Sequence, residues 1–210
     1  MRATLGGMLI YLIRHGETPS NAARVLQTAA MPLSQLGIEQ ARRLAARLST
    51  SGIKRILSSD LRRAEMTARC LHDSTEAPIQ FEPLLQERNF GELRGTAYDD
   101  LGLDPFAPDF VPPSGESWKT FHERVDKAWD QVQQTAATMT GNLAVVTHGL
   151  VCRAIVERHA ELSEGMSLDS PHQFANTSLT VMADGPRWRV ETLACTRHLN
   201  SAGSKEGAPV

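Results

Sequence analysis

The sequence predicts an α/β fold built on strands that are buried on both faces of a sheet. Three observations carry that expectation. Residues 8–13 and 143–147 are short apolar runs, and each stops on a His-Gly pair. Between them, apolar residues recur at helical spacing, which puts helices rather than hairpins between the strands. A turn of Ala183-Asp184-Gly185-Pro186 joins two further β-patterned runs near the end of the chain.

The opening run is followed by a polar stretch over 17–32 with no sustained period, read as a long loop with a helical turn near Asn21-Ala22-Ala23-Arg24. From Ser34, a candidate N-cap, Ile38, Ala41, Leu44, Ala45 and Leu48 mark one helical face, and Gly52 stops the helix. Residues 53–57 form the next strand, and Ser58-Ser59-Asp60 is expected to cap a helix through Leu61, Ala64, Thr67, Ala68 and Leu71. Ile79-Gln80-Phe81 is a short strand. Residues 96–117 hold five acidic side chains, no Lys or Arg and several prolines, and read as an inserted lid. Residues 118–139 carry the longest helical pattern, its aromatics expected in the core, and a last helix runs through Val151, Ile155 and Val156. The hairpin strands 178–182 and 188–193 are left with an edge that another chain could pair with. Residues 200–210 read as a disordered tail.

Composition narrows the partners. A chain of 210 residues suits one domain with a full core, here 1–199. Lys plus Arg is 22 against 24 for Asp plus Glu, so a net charge of -2 gives no reason to expect nucleic acid or an anionic membrane. Cys70, Cys152 and Cys195 follow no ligand spacing and are expected as buried small hydrophobes in a reducing compartment. The run over 8–13 is too short for a membrane span or a signal segment, so a cytoplasmic setting is expected.

The chemistry is expected where the apolar runs end. Arg14 and His15 close the first run and His148 follows the second, at the carboxyl ends of strands where open α/β sheets bind ligands. A zinc or iron site wants three or more protein ligands and is disfavoured by adjacent arginines, so no metal and no cofactor are expected. Arginines with histidines suit a phosphoryl group, because guanidinium offers bidentate hydrogen bonds and a fixed positive charge. Neighbouring arginines, Arg14 and Arg63, would hold a histidine nucleophile neutral, and a carbonyl of the following turn would fix its tautomer. Glu87 is the best candidate for the acid that protonates the leaving oxygen, with Glu17 the alternative. Arg62 and Arg63 both lie in the first turn of their helix, against the charge preference there, and one of them pairing with Glu65 or Asp60 is an equal reading.

Taken together, Arg14-His15-Gly16-Glu17-Thr18, the segment Ser59-Asp60-Leu61-Arg62-Arg63-Ala64 with Thr67-Ala68, Glu87 with Gly91, and Thr147-His148-Gly149 resemble the histidine phosphatase superfamily, of phosphoglycerate-mutase-like fold. The resemblance spans 8–199. It implies a three-layer α/β/α sandwich with a mostly parallel central sheet and a small inserted lid over about 88–117. It also implies that His15 is the phosphorylated nucleophile and Glu87 the proton donor, with Arg14, Arg63 and His148 as the phosphate pocket and Arg62 a surface neighbour. Asn21 matches a further phosphate-contacting position, and Gly16, Glu17, Thr18, Arg88 and Gly149 complete the substrate-binding set. The stretch after Gln27 is shorter than the pattern, Pro19-Ser20 replaces an aromatic, and Leu150 replaces a small residue, changes that reshape the pocket entrance.

A mutase must hold a second anionic group while its substrate reorients, and the acidic stretch over 96–117 has no cation for that task, with Arg88 and Arg94 only at its edge, while Phe106, Phe110 and Trp118 suit an apolar or neutral substrate body. The expectation is therefore hydrolysis of a small phosphorylated substrate or a phosphoprotein by a monomer or homodimer. A phosphomutase, a phosphohistidine phosphatase and a silent phosphate-recognition module are the alternatives.

Overall fold

The computed structural model describes residues 7–170 and 173–200. Beyond Asn200, the expected tail lies outside the described residues. The elements in chain order are β1 (Leu9–Arg14), α1 (Pro19–Ala22), α2 (Gln35–Leu48), β2 (Ile53–Ser58), α3 (Arg62–Thr75), β3 (Ile79–Phe81), α4 (Trp118–Ala137), β4 (Asn142–Thr147), α5 (Gly149–His159), β5 (Ala160–Leu162), β6 (Leu179–Ala183) and β7 (Trp188–Cys195). The strands form one mixed sheet in the order β3-β2-β4-β1-β6-β7-β5. β1 runs parallel to β4 and antiparallel to β6, with Arg14 opposite Thr147 at the parallel seam.

Alternation along the two central strands builds both outer layers. Ile10, Leu12, Leu143 and Val145 point to one face, where Phe121, Val125 and Val132 of α4 and Ile155 of α5 complete a core. Tyr11, Ile13, Ala144 and Val146 point to the other, under Leu44 and Leu48 of α2 and Ala64, Ala68 and Leu71 of α3. The result is a three-layer α/β/α sandwich. Leu12 is fully buried, and truncating it to Ala is expected to cost roughly 2–5 kcal/mol. Among the described residues no helix is long and apolar enough to cross a membrane.

Several local expectations change. The first helical turn comes earlier than expected, at Pro19–Ala22, because Thr18 caps it in a capping box with Asn21. Ser58-Ser59-Asp60 does not cap α3, whose N-cap is Leu61 with no side-chain cap bond. Ser59 instead turns to His148, and Asp60 accepts from Gln86. Part of the hairpin edge is covered, since β5 pairs with the first three residues of β7, Trp188 to Val190. Three residues between α5 and the next loop are too few to carry a strand signal, so that element went unread. Of the three free cysteines Cys152 alone is buried; Cys70 and Cys195 are half-buried.

The connection from β3 to α4 is irregular, with short 3-10 turns at Pro83–Leu85, Gly91–Leu93 and Tyr98–Asp100. Arg88 holds it together. That guanidinium is fully buried, donates to the carbonyls of Pro105 (3.1 Å), Phe110 (2.7 Å) and Glu116 (3.1 Å), and lies 4.0 Å over the Trp118 ring. Irregular backbone must place its polar groups somewhere, and here a cation gathers three carbonyls.

Candidate active site

Because β1 and β4 are parallel neighbours, the residues that follow each strand emerge at the same end of the sheet. His15 and His148 are both buried there, their ring centroids 5.1 Å apart and tilted by 59°. His15 Nδ1 lies 2.7 Å from the Gly16 carbonyl. As a donor to that oxygen Nδ1 carries the hydrogen, and Nε2 keeps its lone pair. Burial, then the guanidinium groups of Arg63 and Arg14, hold the His15 ring well below the ordinary imidazole range. It is neutral at pH 7 and fit to attack.

Arg14 donates through Nη1 to the Phe174 carbonyl at 2.6 Å, and Arg63 through Nη1 to the Thr28 carbonyl at 3.1 Å. Burial lowers both; Arg63 falls to about 10 and so keeps its charge at neutral pH. Among the described residues Arg14 Nε, Arg63 Nε and His148 Nδ1 are buried without a hydrogen-bond partner. Buried polar groups are rarely left so, and the two arginine donors beside His15 mark the place of an acceptor. Arg62 instead pairs with Glu65 at 3.0 Å on the surface.

Glu87 faces the same cleft, a space of about 540 Å³. Burial pushes its carboxyl above the ordinary carboxylate range, against the opposing pull of the Arg88 and Leu150 backbone N–H groups at 3.0 and 3.2 Å. Leu150 N belongs to the first turn of α5, so a helix N-terminus also braces the acid. The remaining cleft wall mixes apolar side chains, Leu26, Phe90, Phe106, Trp118, Leu150 and Phe174, with polar and charged ones, Gln27, Arg94, Asp104 and Arg153. Trp118 packs against the core, as expected of the aromatics of α4, and also lines the site.

The other expected residues divide. Asn21 lines the cleft, its Oδ1 accepting from Thr18 N and Asn176 Nδ2, and Gly149 lies against the Arg14 guanidinium. Thr18 caps α1 and is not in the cleft wall. Glu17 turns away from the cleft and accepts from the Ser34 hydroxyl at 2.8 Å, because the same loop must meet the start of α2. Gly16 is needed for that meeting: a Cβ there would stand 2.5 Å from the Gly37 carbonyl oxygen, so its small size serves backbone packing on α2 rather than ligand approach. Arg88 touches the cleft wall, but its three hydrogen bonds to lid carbonyls leave it a strut, not a substrate ligand. Among the described residues no group of three or more His, Cys, Asp or Glu side chains is placed to hold a metal ion.

Comparison with known families settles the lineage. The model of the histidine phosphatase superfamily (branch 1) matches residues 10–196. The chain belongs to that superfamily. A curated relative from Yersinia pestis, named "Probable phosphoglycerate mutase GpmB", is 30% identical over 207 residues, covering 91% of this chain and 94% of its own. Bacillus stearothermophilus YhfR superposes with a TM-score of 0.78 at 27% identity, covering 92% and 100% of the two chains. The alpha-ribazole phosphatase from Shigella flexneri does so with a TM-score of 0.74 at 25% identity, covering 90% and 97%.

In this member of the superfamily, four positioning residues escape sequence reasoning. Thr67, one turn after Arg63, accepts from Gly16 N at 3.1 Å and donates to the Arg63 carbonyl, tying α3 to the His15 loop. Arg124 on α4 donates to the carbonyls of Leu84, Gln86 and Glu87 while clamping Glu116, and so fixes the segment that carries Glu87. Asn176 donates to the His15 carbonyl. Ser59 contacts His148 Nε2 at 2.8 Å. Thr67 sat inside the quoted motif, but Arg124 and Asn176 have no local signal, since what they touch is far away in the chain.

Proposed function

We propose that this histidine phosphatase is a metal-independent phosphomonoester hydrolase working through a phosphohistidine on His15. The observation that carries the reading is a set of partnerless buried atoms, Arg14 Nε, Arg63 Nε and His148 Nδ1, on the two arginines whose charge acts on the His15 ring and on the histidine 5.1 Å from it, while His15 Nε2 keeps its lone pair. Three such groups suit the oxygens of a phosphoryl group.

His15 Nε2 attacks phosphorus, forming the N–P bond as the ester P–O bond breaks. Arg14 and Arg63 neutralise the charge spread over the phosphoryl oxygens, and Glu87 gives its proton to the leaving alkoxide. Water then attacks the phosphohistidine, with Glu87 taking its proton, and inorganic phosphate leaves as His15 is regenerated. A carboxyl raised by burial serves both halves of this cycle.

Relatives' names point to both phosphatase and mutase activity. The absence of Lys and Arg from 96–117 and the apolar side chains of the cleft wall favour one phosphate on an apolar or neutral body. Arg94 favours the second reading, a mutase, because it lines the cleft without a side-chain hydrogen bond or ion pair among the described residues. Incubation with p-nitrophenyl phosphate and EDTA should release inorganic phosphate at an undiminished rate. The trapped phosphoenzyme should be acid-labile and alkali-stable; the opposite stability would move the nucleophile to an oxygen side chain. Phosphoglycerates that isomerise without releasing phosphate would decide for the mutase.

A further inference from the structure

We infer that Ser59 is a positioning residue that fixes His148 in the tautomer carrying its hydrogen on Nδ1, so that a neutral ring presents an N–H donor to a phosphoryl oxygen. The inference rests on the phosphoryl-transfer reading for its ligand. Its evidence is a count of hydrogens.

Ser59 and His148 are both fully buried. The Ser59 hydroxyl oxygen lies 2.8 Å from His148 Nε2 and 3.3 Å from Leu61 N. The Leu61 amide can only donate, so Oγ accepts there. The hydroxyl has one hydrogen, and among the described residues Nε2 is its one acceptor. If Ser59 donates to Nε2, every hydrogen on the Ser59 side is satisfied and Nδ1 must carry the ring's own. If Nε2–H donated instead, the buried hydroxyl hydrogen would have no acceptor, and Nδ1 would present a bare lone pair. A lone pair repels a phosphoryl oxygen, whereas an N–H completes its shell. Both the count and the ligand select the same tautomer.

The alternative of an imidazolium, which would donate from both nitrogens, runs against the surroundings. Besides burial, His148 faces Arg63, His15, Arg14 and Arg124, all of which drive it toward the neutral ring. Glu87 is the acid nearby, and its own burial keeps it from supplying a firm countercharge. A neutral ring donates from one nitrogen only, so whichever group chooses the nitrogen chooses the function. The two histidines then carry their hydrogen on the same ring position to opposite ends. In His15 the Nδ1–H is committed to the Gly16 carbonyl and frees Nε2 for phosphorus. In His148 the Ser59 hydroxyl occupies Nε2 and frees Nδ1–H for oxygen.

The test reads the tautomer directly. In uniformly 15N-labelled protein at neutral pH, two-bond proton–nitrogen correlation spectra should show His148 with a pyrrole-type Nδ1 and a pyridine-type Nε2. Inorganic phosphate should shift its Nδ1 signal. A pyrrole-type Nε2 on His148 overturns the inference. Ser59→Ala should move the Nε2 signal and lower kcat/KM for p-nitrophenyl phosphate about tenfold, the loss of one hydrogen bond in a charged site, while His15 keeps its tautomer. Ser59→Thr, which keeps the hydroxyl, should restore both; an unmoved Nε2 signal in Ser59→Ala would sink the role of Ser59. Because the wild-type spectrum needs no variant and no turnover, the expected tautomer in a protein without phosphatase activity would refute the proposed reaction while leaving Ser59's role standing.

Discussion

The cleft has two walls of different construction. The wall that would hold phosphate is made where regular elements end: β1 ends on Arg14 with His15 next, the first turn of α3 supplies Arg63, and His148, directly after β4, is buried beside His15. The facing wall is the irregular connection from β3 to α4, whose carbonyls are gathered on the single buried guanidinium of Arg88. On the first wall the backbone is satisfied by ladders and helices, so polar side-chain atoms are free to be left without partners. On the second, side chains are committed to holding backbone. The phosphate-binding groups therefore concentrate on one wall, and the other contributes substrate shape together with the acid Glu87 near its start.

The largest effects should come from His15 on the first wall and from Glu87, the one residue of the second wall given a chemical role. His15→Ala should remove the nucleophile and lower kcat for p-nitrophenyl phosphate by roughly a thousandfold or more. A variant with near-native turnover would place the nucleophile elsewhere. Glu87→Gln should cost roughly 10²- to 10⁴-fold with an alkyl phosphate, whose alkoxide needs a proton, and much less with p-nitrophenyl phosphate. Equal losses on both substrates would remove Glu87 from the role of acid. The pH profile carries the same logic with two signs. His15 is depressed, so its acid limb should lie below 6.5, and Glu87 is raised, so its basic limb should lie above 4.5. For stability the two work in opposite senses. The buried neutral rings of His15 and His148 lose stability as pH falls below 6.5, because the unfolded chain binds protons first. Glu87 gains stability as pH falls toward 4.5, because the folded chain binds its proton first.

The contrast between the walls also explains what the sequence disclosed. Ile10 to Ile13 and Leu143 to Val146 are buried on both faces of the sheet, so they are apolar without interruption, and the polar residues that end them stand out. Adjacency of the two strands then brings His15 and His148 together with no further information needed. Arg63 could be told from Arg62 by family pattern, and the ion pair of Arg62 with Glu65 shows the physical difference. The second wall was legible only as a region. Its residues answer to partners remote in sequence, as Arg88 does to Pro105, Phe110 and Glu116, and no local rule distinguishes a strut from a ligand. Ser59 was misread for a related reason. Its spacing suits a helix cap, but the residue it meets is 89 positions away.

A middle-sized effect should separate the walls. Arg88→Met keeps much of the volume while leaving three carbonyls without their donor, and should cost about 3 kcal/mol of stability. It should raise KM for a bulky phosphate ester more than it lowers kcat for p-nitrophenyl phosphate, because Arg88 shapes the substrate wall rather than the phosphoryl group. Denaturant unfolding and steady-state kinetics on the same preparation check both. A kcat loss as large as that of Glu87→Gln, with KM unmoved, would mean that Arg88 acts through its neighbour Glu87 rather than on substrate shape.

The smallest effect is expected at Glu17, and it is the sharpest test of where the first wall ends. Glu17 lies two residues after the nucleophile, and proximity in sequence made it a candidate acid. Its carboxylate instead accepts from Ser34, the N-cap of α2, while its backbone carbonyl accepts from Ser34 N at 2.9 Å. Glu17→Gln preserves the shape and an acceptor oxygen, so α2 should keep its cap and stability should change by less than about 1 kcal/mol. An acid role requires a proton that glutamine cannot supply, so the alkyl phosphate is the substrate to use. If its kcat stays within about twofold of native, the loss seen with Glu87→Gln cannot be assigned to any nearby carboxyl, and the proton path runs across the cleft from Glu87. A loss confined to the alkyl phosphate would bring Glu17 back into the site and would require the loop between β1 and α1 to swing off α2, a movement that the Gly16 and Gly37 backbone contact opposes.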